Sequence, residues 1–125
     1  MGESVLIRSY VNMLRNYARF TGRTERTEYW VAMLMHISAA LILFILYSIT
    51  KMSFFSYLFS LYQMMLLVPT YSLNTRRLHD IGKSGWWQLI GASVIGGIIL
   101  LIWLARRGET DENLYGADPL PVLRY

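Results

Sequence analysis

Three cations, an imidazole and a carboxylate fall within twelve consecutive residues, Arg76-Arg77-Leu78-His79-Asp80-Ile81-Gly82-Lys83-Ser84-Gly85-Trp86-Trp87. Such a run could do acid–base work, hold a phosphate or fix a fold. Adjacent helical residues point about 100° apart, so His79 and Asp80 make no dyad with each other. Ser84, His79 and an acid could be drawn into a nucleophilic triad, but no Gly-x-Ser-x-Gly elbow accompanies them. Gly82-Lys83-Ser84 has the end of a phosphate loop. The earlier glycine it needs is replaced by Arg77, and its place between two apolar runs is not a strand-to-helix turn. Arg76 and Asp80, four apart, share a helix face, where an exposed pair contributes only about 0.2–0.5 kcal/mol.

A second polar cluster precedes the first long apolar run: Phe20-Thr21-Gly22-Arg23-Thr24-Glu25-Arg26-Thr27-Glu28-Tyr29-Trp30. Thr24 is placed to cap the helix that follows, with Glu25 and Glu28 in its first turn, where the helix dipole favours acids. Arg23 and Arg26 then lie at headgroup depth, within reach of lipid phosphates or Asp80. One network between two helices is expected from Arg23, Arg26, Glu28, Arg76, Arg77, His79, Asp80 and Lys83. A headgroup-level clamp that fixes packing and orientation explains these types better than a catalytic or transport site. Two polar residues, His36 and Gln63, interrupt apolar runs. An interhelical hydrogen bond is the plain reading of each, and a lining of a path is the functional one. With two histidines and no cysteine, a His/Cys zinc site is nearly excluded. Neither catalytic residues nor a cofactor or metal site is expected.

The elements that must position these residues follow from hydropathy. The 125-residue chain is 54% hydrophobic and 16% charged, against roughly 25% charged in an ordinary soluble domain. The apolar residues lie in blocks. Three blocks, 29–49, 54–73 and 86–105, carry no formal charge and reach the length of about 20 residues that a bilayer requires. Tyr29-Trp30, Phe54-Phe55 and Trp86-Trp87 open the blocks, and Tyr47, Tyr71 and Trp103 lie near their far ends, as interfacial belts would place them. Trp87 and Trp103 are 16 positions apart, or about 24 Å along a continuous helix. Pro69 is expected to kink the second block. Lys51-Met52-Ser53 is short enough to force an antiparallel hairpin. Residues 5–20 read as an amphipathic helix, with Leu6, Tyr10, Met13, Tyr17 and Phe20 on one stripe and Arg8, Asn12, Arg15 and Arg19 on another. This gives one all-α membrane domain over 1–125: three transmembrane helices, an interfacial N-terminal helix and a polar tail, 106–125, that caps the bundle.

Lysine and arginine placement sets the orientation. With three crossings, eight lie beside the N-terminal segment and second link and four beside the first link and tail, which favours a cytoplasmic N-terminus. Arg106-Arg107 fits that scheme poorly. A re-entrant third segment, bent at Gly96-Gly97, would return the tail to the cytoplasm; a single crossing is the favoured reading. The net charge of +4 points to anionic headgroups rather than nucleic acid, because the cations flank apolar blocks.

The two clusters and a third, Gly108-Glu109-Thr110-Asp111-Glu112-Asn113-Leu114-Tyr115-Gly116-Ala117-Asp118-Pro119, occur in an order that resembles the bacterial inner-membrane family called domain of unknown function 805. The resemblance runs from about Tyr17 to Pro119 and is carried mainly by the long Arg76–Trp87 motif. The tail reads Arg107-Gly108 where the family commonly has Pro-Gly. It implies a location in the cytoplasmic membrane of a bacterium and no particular activity. Expected partners are anionic membrane lipids, with a second copy or another membrane protein as further candidates. The leading expectation is a non-enzymatic membrane component. An oligomeric transporter or pore lined by His36 and Gln63, and a lipid-headgroup enzyme using His79, Asp80 and the arginines, are the alternatives.

Overall fold

A computed structural model describes residues 5–109 and 112–116. Five α-helices and one 3₁₀ helix make up the fold, and no strand occurs among the described residues: α1 (Val5–Arg15), α2 (Arg26–Thr50), α3 (Ser53–Met65), α4 (Leu67–Asp80), a 3₁₀ helix (Gly85–Ala92) and α5 (Val94–Ala105). Only α2, with 25 residues and an 18-residue stretch of mean hydropathy 2.2, is by itself long and apolar enough among these to cross a membrane. It starts three residues before the apolar block. Glu25, not Thr24, is its N-cap, and the Glu25 carboxylate accepts from the backbone N–H of Thr27 and Glu28 at 2.9 and 2.8 Å. Thr24 is engaged elsewhere.

The chain turns at Lys51, which takes a left-handed conformation (φ 58°) while its N–H bonds the Tyr47 carbonyl. The second block returns antiparallel to α2. Along α2 the partners step backward through the returning chain: Tyr29 bonds Asn74, His36 bonds Tyr62, and Phe44 meets Phe59. The return is divided at Leu66 into α3 and α4. Pro69 explains the break: it has no N–H for the Met65 carbonyl, and its ring clashes with that carbonyl in a regular helix. The flanking bonds Leu66 N–H to Tyr62 O (3.0 Å) and Thr70 N–H to Leu66 O (2.9 Å) keep the two pieces in series.

The third block departs from expectation. It is two short helices folded back on each other. The turn is at Ser93, whose hydroxyl accepts from the Gly96 N–H at 3.0 Å. A straight helix would hold Trp87 and Trp103 about 24 Å apart; their ring centroids are 5.5 Å apart. Lys83, before the first arm, lies 4.4 Å from the Trp103 ring near the end of the second. Two arms of about 16 and 18 Å at their respective rises are matched in length, so the chain leaves the hairpin at the level where it entered. The close turn depends on Gly96, where a Cβ would stand 1.9 Å from the Ile90 carbonyl oxygen.

α1 is shorter than the expected 5–20 and docks on α2 and α4. Ser9 and Met13 form its buried face, whereas Leu6, Tyr17 and Phe20 of the expected apolar stripe are exposed. Asn16 ends the helix, its side-chain amide donating to the Asn12 carbonyl at 2.8 Å. The core is small and lies at one end of the bundle: Met13, Tyr29, Ala32, Leu66, Leu73, Leu78 and Leu104. Toward Lys51 the outer apolar faces are open, with Ile42, Phe44, Ile49, Phe54 and Tyr57 all more than half exposed. In a membrane these faces meet hydrocarbon, so their exposure carries no cost.

Candidate functional site

The polar motifs converge at the end of the bundle opposite Lys51. Asp80, the last residue of α4, is 2% exposed. Each of its oxygens has its own guanidinium: Arg23 Nε donates to Oδ1 at 2.9 Å and Arg77 Nη1 to Oδ2 at 2.7 Å. Burial pushes the Asp80 carboxyl above its ordinary value, and the two arginines pull it down. A carboxylate removed from water needs this kind of full pairing, because an isolated buried charge is strongly unfavourable.

The remaining guanidinium protons go to backbone carbonyls that no helix satisfies. Arg77 is fully buried. Its Nε donates to Leu104 O at 3.0 Å, Nη1 reaches Thr24 O at 3.4 Å, and Nη2 donates to Arg106 O. Leu104 and Arg106 are at the C-terminal end of α5, where unpaired carbonyls and the helix dipole both favour a cation. Arg76 points the other way, toward the loop between α1 and α2. It donates to Thr24 Oγ1 (3.1 Å), Asn16 O (2.9 Å) and Arg19 O (2.8 Å). The Thr24 N–H returns a bond to Arg76 O at 3.0 Å. Arg23 completes the set by donating to Gly116 O at 3.1 Å and to Glu109 O. Three arginines therefore join the α1–α2 loop, the end of α4, the end of α5 and the tail.

The tail is held by more than arginine. Glu109 N–H bonds Asp80 O at 2.8 Å, and Asn113 Nδ2 bonds His79 O at 2.9 Å. Asn113 and Gly116 bond each other reciprocally through the backbone, which closes a turn. The Tyr115 ring lies flat on the His79 imidazole, with centroids 3.9 Å apart and planes 2° apart. Gly108 must be glycine for steric reasons, since a Cβ there would lie 1.9 Å from Asp80 Oδ2. Asp118 and Pro119, whose types also suit a turn, lie outside the described residues.

His79 Nδ1 is 2.9 Å from Gly22 O. A carbonyl accepts only, so Nδ1 carries the proton and Nε2 the lone pair. Burial pushes the imidazole below its ordinary value, more strongly than the Gly22 bond opposes it.

Of the eight residues expected in one network, the structure joins three directly, Arg23, Arg77 and Asp80. Arg76 and His79 are bound to the same loop through backbone and Thr24. The Arg76–Asp80 pair is not formed, because Arg77 occupies Oδ2 and Arg76 is turned to the loop. Arg26 is exposed at the start of α2. Glu28 accepts from Asn12 of α1 at 3.3 Å. Lys83 rests over the Trp103 ring. Thr24, expected only as a cap, joins the clamp together with Asn16, Asn113, Glu109 and Tyr115, which residue types alone do not single out; the order of the third motif is the one signal that included the last three. His36 and Gln63 do not meet. His36 Nδ1 bonds Tyr62 OH at 3.1 Å, and that hydroxyl also meets Tyr10 OH at 2.8 Å. Gln63, the next position round α3, is exposed. Among the described residues no group of three or more His, Cys, Asp or Glu side chains could hold a metal ion.

A polar clamp closing one end of an apolar helical bundle defines a small helical membrane protein. Residues 17–117 match the family described as protein of unknown function (DUF805), and the chain belongs to that family. The match takes in every member of the clamp except Asn16, and leaves α1 outside. Two relatives from Escherichia coli strain K12 are inner membrane protein YhaI, 35% identical over 111 residues covering 88% of this chain and 93% of the relative, and inner membrane protein YhaH, 32% identical over 117 residues covering 88% and 94%. No solved structure matches the chain. The protein is thus placed in the bacterial inner membrane.

Proposed function

We propose that this protein is a non-enzymatic membrane component that holds anionic lipid along a basic rim at its cytoplasmic end. The observation that carries this reading is the division of labour among the cations. Arg23, Arg76 and Arg77 donate to the chain's own carbonyls and to Asp80. Arg8, Arg15, Arg19, Arg26, Arg106 and Arg107 are exposed around them. The inner set fixes the end of the bundle, and the outer set is free to meet phosphates. Near an anionic leaflet each such cation contributes about 1 kcal/mol. Replacing Arg15, Arg19, Arg26, Arg106 and Arg107 together by glutamine is expected to reduce affinity for short-chain phosphatidylglycerol at least a hundredfold, roughly 3 kcal/mol or more, without lowering thermal stability in detergent. Intact-particle mass spectrometry reads both the lipid adducts and any partner. Unchanged adducts would end the rim reading.

The same reading sets the topology. The folded-back third block supports two crossings, by α2 and by α3 with α4, followed by a re-entrant hairpin in place of a third crossing. Ten lysines and arginines of the described chain then lie at one end and only Lys51 at the other. This is a far stronger cytoplasmic bias than the eight against four of a three-span arrangement. The chain contains no cysteine, so single engineered thiols report cleanly. Lys51→Cys is expected to react with a membrane-impermeant maleimide on intact spheroplasts. Arg107→Cys is expected to react only after permeabilisation. Labelling of Arg107→Cys from outside would restore the third crossing.

A further inference from the structure

Gln63 interrupts the open apolar face of the second crossing. It lies ten positions into α3 from Ser53, about 15 Å along the axis and near the middle of a hydrocarbon core about 30 Å thick. The residue is exposed, and its carboxamide makes no hydrogen bond among the described residues. Other polar side chains of the two crossings find partners within the chain. His36 has Tyr62, and Tyr62 has Tyr10. The hydroxyls of Ser48 and Thr50 return to carbonyls four residues earlier, at 2.9 and 2.7 Å. Lipid tails neither donate nor accept, so a carboxamide at this depth is satisfied only by more protein.

The surroundings of Gln63 admit that protein closely. Ser53, Ser56, Ser60 and Gln63 follow one another at steps of three, four and three. At 100° per residue they fall within an arc of about 80°. Tyr62 and Phe59, which meet His36 and Phe44 of α2, lie on the other side of this arc from the open face. Alternating steps of three and four are the seam of a left-handed helix pair, and small side chains along a seam let two backbones approach.

The chemistry of the amide selects the partner. A carboxamide carries two N–H donors and a carbonyl acceptor, so it is its own complement. Copies inserted in one orientation are related by a two-fold axis along the bilayer normal, which brings each residue to its counterpart at equal depth. We propose that α3 pairs with α3 of a second copy, the two Gln63 carboxamides exchanging N–H···O bonds across the axis at mid-bilayer. The inference rests on the crossing by α3 and α4. It does not rest on the basic rim, whose arginines lie at the end of the bundle.

The natural chain has no cysteine, so one introduced thiol tests the contact. In native membranes oxidised with copper phenanthroline, full-length Ser60→Cys is expected to form a disulfide-linked dimer. Met65→Cys, exposed but about 140° round the helix, is expected to stay monomeric. Without cysteines, Gln63→Leu should weaken the dimer about fivefold or more, read by Förster transfer between labelled copies on dilution in bilayers. Its thermal stability as a monomer should be unchanged or raised, because the amide bonds nothing in its own chain. Gln63→Asn keeps the carboxamide and should lie nearer to the parent than to the leucine variant. Absence of the Ser60→Cys dimer, or equal self-association of Gln63→Leu and the parent, would overturn the inference. So would an intact-particle mass showing a different protein that Gln63→Leu releases. The five-arginine rim variant should dimerise like the parent. Loss of its lipid with the dimer intact counts against the rim alone, and a monomer that keeps rim lipid counts against the pairing alone.

Discussion

Arg77→Ala is expected to reduce the amount of folded protein in the membrane at least tenfold. The fully buried guanidinium donates to Leu104 O, Thr24 O, Arg106 O and Asp80 Oδ2. Its removal strands the Thr24 and Arg106 carbonyls and half of a buried carboxylate, and leaves Leu104 O only the Trp30 indole N–H. Taking one partner from a buried ion pair costs about 3–5 kcal/mol, and a domain has only about 5–15 kcal/mol in total. Arg77→Lys should recover little of the loss. An ammonium presents three protons from one point, whereas a guanidinium presents five in a plane that can reach separate acceptors. Arg26→Ala, one turn from the clamp but exposed, should fall within about 0.5 kcal/mol of the parent. Thermal unfolding in detergent and immunoblotted membrane levels both report the contrast. Parental stability of Arg77→Lys would show that charge alone suffices and that the fan of carbonyl bonds does not hold the fold.

The second large effect is expected at Gly96. An alanine Cβ there would lie 1.9 Å from Ile90 O and 2.7 Å from Ile90 C, both backbone atoms that have no rotamer to escape through. The Ser93 turn must open. Once open, the apolar stretch 86–105 is about 30 Å long as a continuous helix, enough to cross. Gly96→Ala should therefore lower thermal stability by several degrees and make a thiol at position 107 reactive from outside in part of the population. Gly97→Ala is the control, since its Cβ would meet only Gly91 O at 3.7 Å, an ordinary contact. Identical unfolding and identical labelling of the two variants would mean that the hairpin is not held by this turn.

These two residues also mark where sequence reading stops. The long motif from Arg76 to Trp87 announced a polar assembly at a membrane edge, but spacing favoured Arg76 as the partner of Asp80. Positions three and four apart share a helix face equally well. The choice of Arg77 was made by the α1–α2 loop, whose Asn16 and Arg19 carbonyls draw Arg76 away. The same loop explains the capping error of one residue. Thr24 and Glu25 both have oxygens that can cap, and Arg76 takes the Thr24 hydroxyl, so the Glu25 carboxylate fills the role.

By itself the sequence determined the all-helical class, the uncharged apolar blocks, the antiparallel return after Lys51 and the break imposed by Pro69. Each of these follows from local chemistry: hydrocarbon solubility, link length, or a missing backbone proton. It also carried the motif order that places the chain in its family. Only the tertiary structure decided that the third block folds back. An uncharged run of 20 residues is as apolar in one long helix as in two short ones, so hydropathy cannot tell them apart. What separates them is long-range: the carbonyls at the end of α5 are unpaired by geometry, and the guanidinium that needs them, Arg77, lies at the end where the block began.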